Sequence, residues 1–262
     1  MDEFPYELGE LLGEGASALV FAASAPDGSA AVVKRLKEEV ARDPVARSRF
    51  LREARAAADV SHPRLVAVLA VGDSAGGPWL AMPRLQQSLA AALRSGHLEL
   101  TALARLAEDL AGGLDALHRA GIVHRDVKPS NVLLDERGYA LLADYGLAKG
   151  VDWTVLTHGG QLLGTPHYVA PELIAGSEAS PASDVYALGC VLWEAATGEP
   201  PFAGRSLFEI GLAHLHEEPP DPGLKADVTF ALRTALEKDP AARPGTAHAL
   251  AALVRVAVIS RA

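Results

Sequence analysis

Short β-rich apolar runs punctuated by glycine dominate the first eighty residues. Leu11-Leu12, Leu19 to Ala23 and Ala31 to Val33 are separated by Gly13–Gly15 and by Asp27-Gly28. Tyr6 to Lys37 therefore predicts strand, glycine turn, strand, hairpin turn and strand. A helical period takes over from Val45 to Asp59, with Phe50, Ala54, Ala57 and Ala58 on the expected inward face. Extended runs return at Leu65–Val71 and Trp79–Met82. Beyond Ser88 the pattern is mostly helical. Leu89, Ala92 and Leu93 begin one helix, and Leu103, Leu106, Leu110, Leu114 and Leu117 form a stripe within a second, Leu103 to Ala120. Val132-Leu133-Leu134 predicts a strand entering a hairpin with Arg137-Gly138 at its turn, and helices with Pro-rich turns follow from Pro200.

Composition narrows the class. With 262 residues, 49% hydrophobic, the chain can bury a full core as one bilobal domain or two small ones. A net charge of −9 without a basic stripe disfavours nucleic-acid binding. The one cysteine, Cys190, excludes an internal disulfide and reads as a small core residue in a reducing compartment. No window approaches twenty uninterrupted apolar residues, and Met1 to Pro5 lacks the form of a signal peptide. The expected location is the cytoplasm, for this chain alone or as the cytosolic part of a longer membrane-anchored protein. His214 and His216 fit surface or interhelix positions better than a zinc site.

Candidate chemistry concentrates in His124-Arg125-Asp126-Val127-Lys128-Pro129-Ser130-Asn131, between a helix and a strand. Loops held by rigid elements are where reactive side chains usually sit. Asp126 can accept a hydroxyl proton, Lys128 can neutralise a phosphate, and Asn131 can coordinate a hard cation through oxygen. An Asp and an Asn five residues apart carry little weight alone; the whole string is far more specific. It resembles the catalytic loop of protein kinases, in the form found in Ser/Thr kinases.

Other motifs extend the resemblance from about Tyr6 to Val258, closest to the bacterial eukaryotic-like Ser/Thr kinases. Gly13-Glu14-Gly15-Ala16-Ser17-Ala18 resembles the Gly-rich loop over ATP phosphates, with Ala18 in place of the third glycine. Lys34 resembles the strand lysine that holds the α- and β-phosphates, with Glu53 as its expected helical partner. Arg42, Arg47, Arg49, Arg52 and Arg55 fit a solvated face of the same helix. The resemblance assigns the nucleotide pocket to Leu12, Gly13, Gly15, Val20, Val32, Lys34, Met82, Pro83, Leu85 and Leu133. Met82 would be the gatekeeper, with a hinge at 83–87. Asp144-Tyr145-Gly146 matches D-F-G with Tyr for Phe, so Asn131 and Asp144 would hold Mg2+ or Mn2+.

Ala170-Pro171-Glu172 closes an activation segment at 144–172. Thr165 would contact Asp126 and Lys128 in the substrate pocket, and Thr157, then Thr154, are candidate phosphosites. Arg125 precedes the catalytic Asp, as in kinases activated by phosphorylation there. Arg243 would pair with Glu172 and Asp184 would hold the catalytic-loop backbone, both as scaffold. The implied fold is α+β and bilobal: a small, mostly antiparallel β lobe with one main helix (1–82) and a larger helical lobe (88–262). The implied activity is ATP-dependent transfer to Ser or Thr of protein substrates, catalysed by Asp126, Lys128, Lys34 and Glu53. Homodimerisation for trans-autophosphorylation is an analogy. Two alternatives stand beside it: a nucleotide-binding pseudokinase scaffold, suggested by Ala18, Val32 and Tyr145, and a small-molecule phosphotransferase, disfavoured by Arg125 and the Ala-Pro-Glu motif.

Overall fold

A computed structural model of the chain describes residues 4–146 and 166–260. Its first lobe is a five-stranded antiparallel sheet: β1 (Glu7–Glu14), β2 (Ala18–Ser24), β3 (Ala30–Leu36), β4 (Ala70–Ser74) and β5 (Gly77–Pro83), in the order β1-β2-β3-β5-β4. Period-2 alternation sorts its residues. Ala31 and Val33 of β3 join Trp79 and Ala81 of β5 on the outer face, under Phe4 and Tyr6. Leu36, Leu80 and Met82 face the other way, with Val32 packed beside them. Asp27-Gly28 forms the expected turn, with Gly28 at φ 82° and Asp27 accepting from the Ser29 N–H at 2.9 Å.

A short helix α1 (Glu38–Ala41) leads to α2 (Pro44–Ala58), which starts where it should: Asp43 accepts from the Val45 N–H and Pro44 occupies the first turn. Phe50, Ala54 and Ala57 are buried, whereas Ala58 is exposed, one position off the predicted face. The run expected as a strand at Leu65–Val71 begins its ladder only at Ala70. Residues 64–66 pair instead with Leu142: its N–H donates to the Arg64 carbonyl at 2.9 Å and its carbonyl accepts from the Val66 N–H at 2.8 Å. That segment therefore ties the two lobes together.

The second lobe contains α3 (Leu89–Leu93), α4 (Leu100–Arg119), α5 (Pro171–Ile174), α6 (Pro181–Thr197), α7 (Leu207–His216), α8 (Ala226–Ala235) and α9 (Ala247–Ile259). A small sheet of β6 (Gln87–Ser88), β7 (Val132–Leu134) and β8 (Ala140–Leu142) lies beside them. All five leucines of the predicted α4 stripe are buried, each contributing roughly 1.5–3 kcal/mol of transfer free energy. Helix α6 runs through the core, its start fixed by a Ser180–Ser183 capping box and its end by Gly198 at φ 91°. Cys190 is a buried free thiol on it. His214 is an interhelix group, its Nδ1 lying 2.7 Å from the Tyr186 hydroxyl. Among the described residues no cluster could hold a metal through His, Cys and carboxylates alone, and no helix is long and apolar enough to cross a membrane.

Gly113 lets α4 approach the lobe-joining segment. A Cβ there would meet the Arg64 carbonyl oxygen at 2.8 Å and Leu142 Cδ1 at 3.0 Å. Helix propensity alone favours alanine by about 1 kcal/mol, but overpacking against backbone costs about 1–3 kcal/mol. Gly113→Ala should therefore lower stability in urea unfolding. Gly112→Ala, which meets only His62 and Arg64 side-chain atoms at 3.2 Å or more, should cost less. Equal or reversed effects would show that α4 does not press on this segment.

Candidate active site

The loop 124–131 leaves α4, makes a 3-10 turn at Pro129–Asn131 and enters β7. Arg125 holds φ 69°, a left-handed conformation that costs of order 1–3 kcal/mol for a side-chain-bearing residue. Asp184, from the first turn of α6, holds it there. Its buried carboxylate accepts from the His124 N–H at 2.8 Å and the Arg125 N–H at 2.9 Å. His118 Nε2 lies 2.8 Å from the same carboxylate.

Within the loop, Lys128 Nζ donates to Asp126 Oδ2 at 2.8 Å. The Asn131 amide nitrogen donates to the Asp126 carbonyl at 2.9 Å and to Oδ2 at 3.0 Å. Both partners are acceptors, which fixes the amide orientation and leaves the Asn131 side-chain oxygen for another donor or cation. His124 is fully buried; burial holds its pKa down, partly offset by the Asp184 carboxylate. Its Nδ1 accepts from the Asp126 N–H at 3.3 Å, so the neutral ring carries its proton on Nε2.

Between the lobes lies a cleft of about 800 Å3. Leu12, Val20, Val32, Met82, Pro83, Leu85 and Leu133 line it, together with Asn131 and Asp144. Seven of the predicted nucleotide contacts thus share one cavity. Gly13, Gly15 and Lys34 do not line it. Gly13 lies within β1, paired with Val20, and neither glycine has a positive φ, so the close turn is confined to 15–17. The Arg84 N–H is taken by the Ala30 carbonyl at 3.3 Å, whereas the Leu85 N–H has no partner among the described residues. Sequence reasoning missed Ala30, Val66, Ser88, Ser130 and Ala143 in the lining, whereas Arg84 and Gln86 fall within the hinge expected at 83–87. Ser130, directly before Asn131, and Ala143, directly before Asp144, carried a local signal.

The expected Lys34–Glu53 pair is not formed. Lys34 Nζ lies 3.0 Å from Asp144 Oδ1, and Glu53 makes no ion pair among the described residues. Helical spacing placed Glu53 on α2 but could not decide which of two carboxylates reaches one ammonium. Burial raises the Glu53 pKa, opposed by the nearby guanidiniums of Arg125, Arg49 and Arg52. Asp144 sits at φ 61° and Gly146 at φ 66°. Tyr145 between them is buried, which pushes its pKa up to about 12, and its hydroxyl donates to the Val66 carbonyl at 2.8 Å.

The scaffold pair is as expected. Arg243 grips Glu172 through two bonds of 2.8 and 2.6 Å and also donates to the carbonyls of Ala182, Glu237 and Lys238. Breaking it would strand a buried charge at about 3–5 kcal/mol. Thr154, Thr157 and Thr165 lie outside the described residues.

Comparison with known proteins agrees with this geometry. The protein kinase domain family model matches residues 6–253. Similar proteins include the serine/threonine-protein kinase PknJ of Mycobacterium tuberculosis, 38% identical over 91% of this chain and 43% of PknJ. PknA of Mycobacterium tuberculosis is 39% identical over 82% of this chain and 52% of its own length. The probable serine/threonine-protein kinase PkwA of Thermomonospora curvata is 40% identical over 95% of this chain and 34% of PkwA. The chain belongs to the protein kinase family. It spans about a third to a half of the length of these relatives.

The position of Glu53 has a consequence for stability. Its raised folded pKa means that the folded chain holds the proton more tightly, so the ionised group subtracts stability at neutral pH. That penalty vanishes as pH falls below the unfolded carboxylate value. Thermal unfolding of Glu53→Gln at pH 7 should occur no lower than for the parent, with the difference shrinking toward pH 4. A marked loss of stability at pH 7 would indicate that Glu53 is ion-paired.

Proposed function

We propose that this chain is a serine/threonine protein kinase that transfers the γ-phosphoryl group of ATP to Ser or Thr hydroxyls of proteins in the cytosol. One observation supports this most: Asn131 and Asp144 line one interlobe cleft, Lys34 of the other lobe lies 3.0 Å from Asp144, and Asp126 is hydrogen-bonded to both Asn131 and Lys128.

The donor chemistry fits the nucleotide and its ion. Asn131 and Asp144 offer two hard oxygen donors at the cleft wall, suited to Mg2+ or Mn2+. Among the described residues Asp144 Oδ1 is buried without a hydrogen-bond partner, and its ion pair is with Lys34. The apolar walls from Val20, Val32, Met82 and Leu133 suit a flat heterocycle, and the Leu85 N–H and Pro83 carbonyl suit its polar edge. When bound, the divalent ion supplies charge neutralisation on the phosphate oxygens. Asp126 orients the acceptor hydroxyl and takes its proton, and Lys128 steadies the phosphoryl oxygens. Lys34 holds the nucleotide phosphates and exchanges Asp144 for Glu53 as partner in the working state. Arg125 and the candidate phosphosites Thr157, then Thr154, point to the activation segment as the site of control, with Thr165 as the candidate substrate-pocket residue.

Asp126→Asn should lower transfer of labelled phosphate to a Ser/Thr acceptor by about 10²–10⁴-fold, with ATP affinity unchanged within a few-fold. Lys34→Met should lose both. Transfer retained in Asp126→Asn would reject the role of this carboxylate.

A further inference from the structure

Where a phenylalanine would only fill space, Tyr145 makes a bond. Its hydroxyl donates at 2.8 Å to the carbonyl of Val66, 79 residues earlier in the chain. Among the described residues no backbone N–H reaches that carbonyl. Val66 is itself fixed, its N–H donating to the Leu142 carbonyl, and it lines the nucleotide cleft. Leu142 is two residues before Asp144, so the bond closes a loop: 142 holds 66, and 66 holds 145.

Asp144 lies inside that closed loop. It adopts a left-handed backbone that a side-chain-bearing residue leaves unless its surroundings hold it, and its carboxylate points at Lys34. The neighbouring packing adds little direction: the His124 ring meets the Tyr145 ring at a tilt, 6.3 Å between centroids. A phenylalanine ring could slide against its packed neighbours, whereas a hydroxyl on a fixed carbonyl cannot shift without leaving the carbonyl unpaired.

We infer that Tyr145 is a positioning residue, its hydroxyl clamping the 142–146 turn to Val66 so that the Asp144 carboxylate stays turned into the cleft where the divalent ion binds. This rests on the kinase reading for the role of Asp144, but the clamp itself does not.

Tyr145→Phe in the whole chain tests it with two readouts. In amide hydrogen exchange without nucleotide, peptides covering 62–69 and 142–146 should exchange about tenfold faster in the variant, the worth of one net hydrogen bond, with α6 and α9 unchanged. In ATP titrations, affinity in EDTA should stay within about twofold, while the gain on adding Mg2+ should shrink about tenfold by the same reasoning. Unchanged exchange in both segments, or an undiminished Mg2+ gain, would overturn the proposal. If the parent shows no Mg2+ gain, the kinase reading fails, and the exchange result still decides the clamp. If the variant does not fold, the parent alone is informative: fast exchange at 142–146, relative to buried α4, would rule the clamp out.

Discussion

The catalytic loop has its shape because one buried carboxylate, Asp184, is surrounded by donors. Burying an ionised carboxylate costs several kcal/mol unless its oxygens are satisfied. Here two backbone N–H groups and the His118 ring lie within hydrogen-bond distance, and bonds to an ionised acceptor are roughly twice as strong as neutral ones. Those bonds offset the left-handed strain at Arg125, the residue before Asp126. Asp184 sits in the first turn of the central helix α6, so the loop inherits the rigidity of the most buried element of the large lobe.

The small lobe is joined to this platform by the segment 64–66, hydrogen-bonded to Leu142 on one side and approached by Gly113 on the other. Ala57 of α2 and Tyr145 share the same apolar cluster with the large lobe. Lys34 of the small lobe reaches across to Asp144, its Nζ 3.0 Å from Oδ1. Glu53 of α2 is half-buried, under the influence of the Arg125, Arg49 and Arg52 guanidiniums.

Local chemistry was the legible part. The α4 leucine stripe, the Asp27-Gly28 turn, the buried thiol and the Asp126–Lys128–Asn131 cluster each follow from spacing within a few residues. The Glu172–Arg243 pair and the Asp184 anchor span 71 and about 60 residues, and they were readable only because whole motifs resemble a known family. What stayed hidden depends on how elements sit in space. The partner of Lys34 depends on the placement of α2. The strand edge at Leu65–Val71 was misplaced because Leu142 claims residues that local pattern gives to a ladder. The partner of the Tyr145 hydroxyl, a backbone carbonyl, has no side-chain identity to read.

Replacing the anchor while keeping its shape is the most direct measurement. Asp184→Asn preserves volume but turns one acceptor oxygen into a donor facing one of the two backbone N–H groups. Phosphotransfer to a Ser/Thr acceptor and ATP binding should be measured on the same folded preparation. Transfer should fall at least about a hundredfold, the low end for a displaced catalytic carboxylate, while ATP still binds in the cleft. Transfer at the parental rate in the folded variant would contradict the dependence of the catalytic loop on this buried charge.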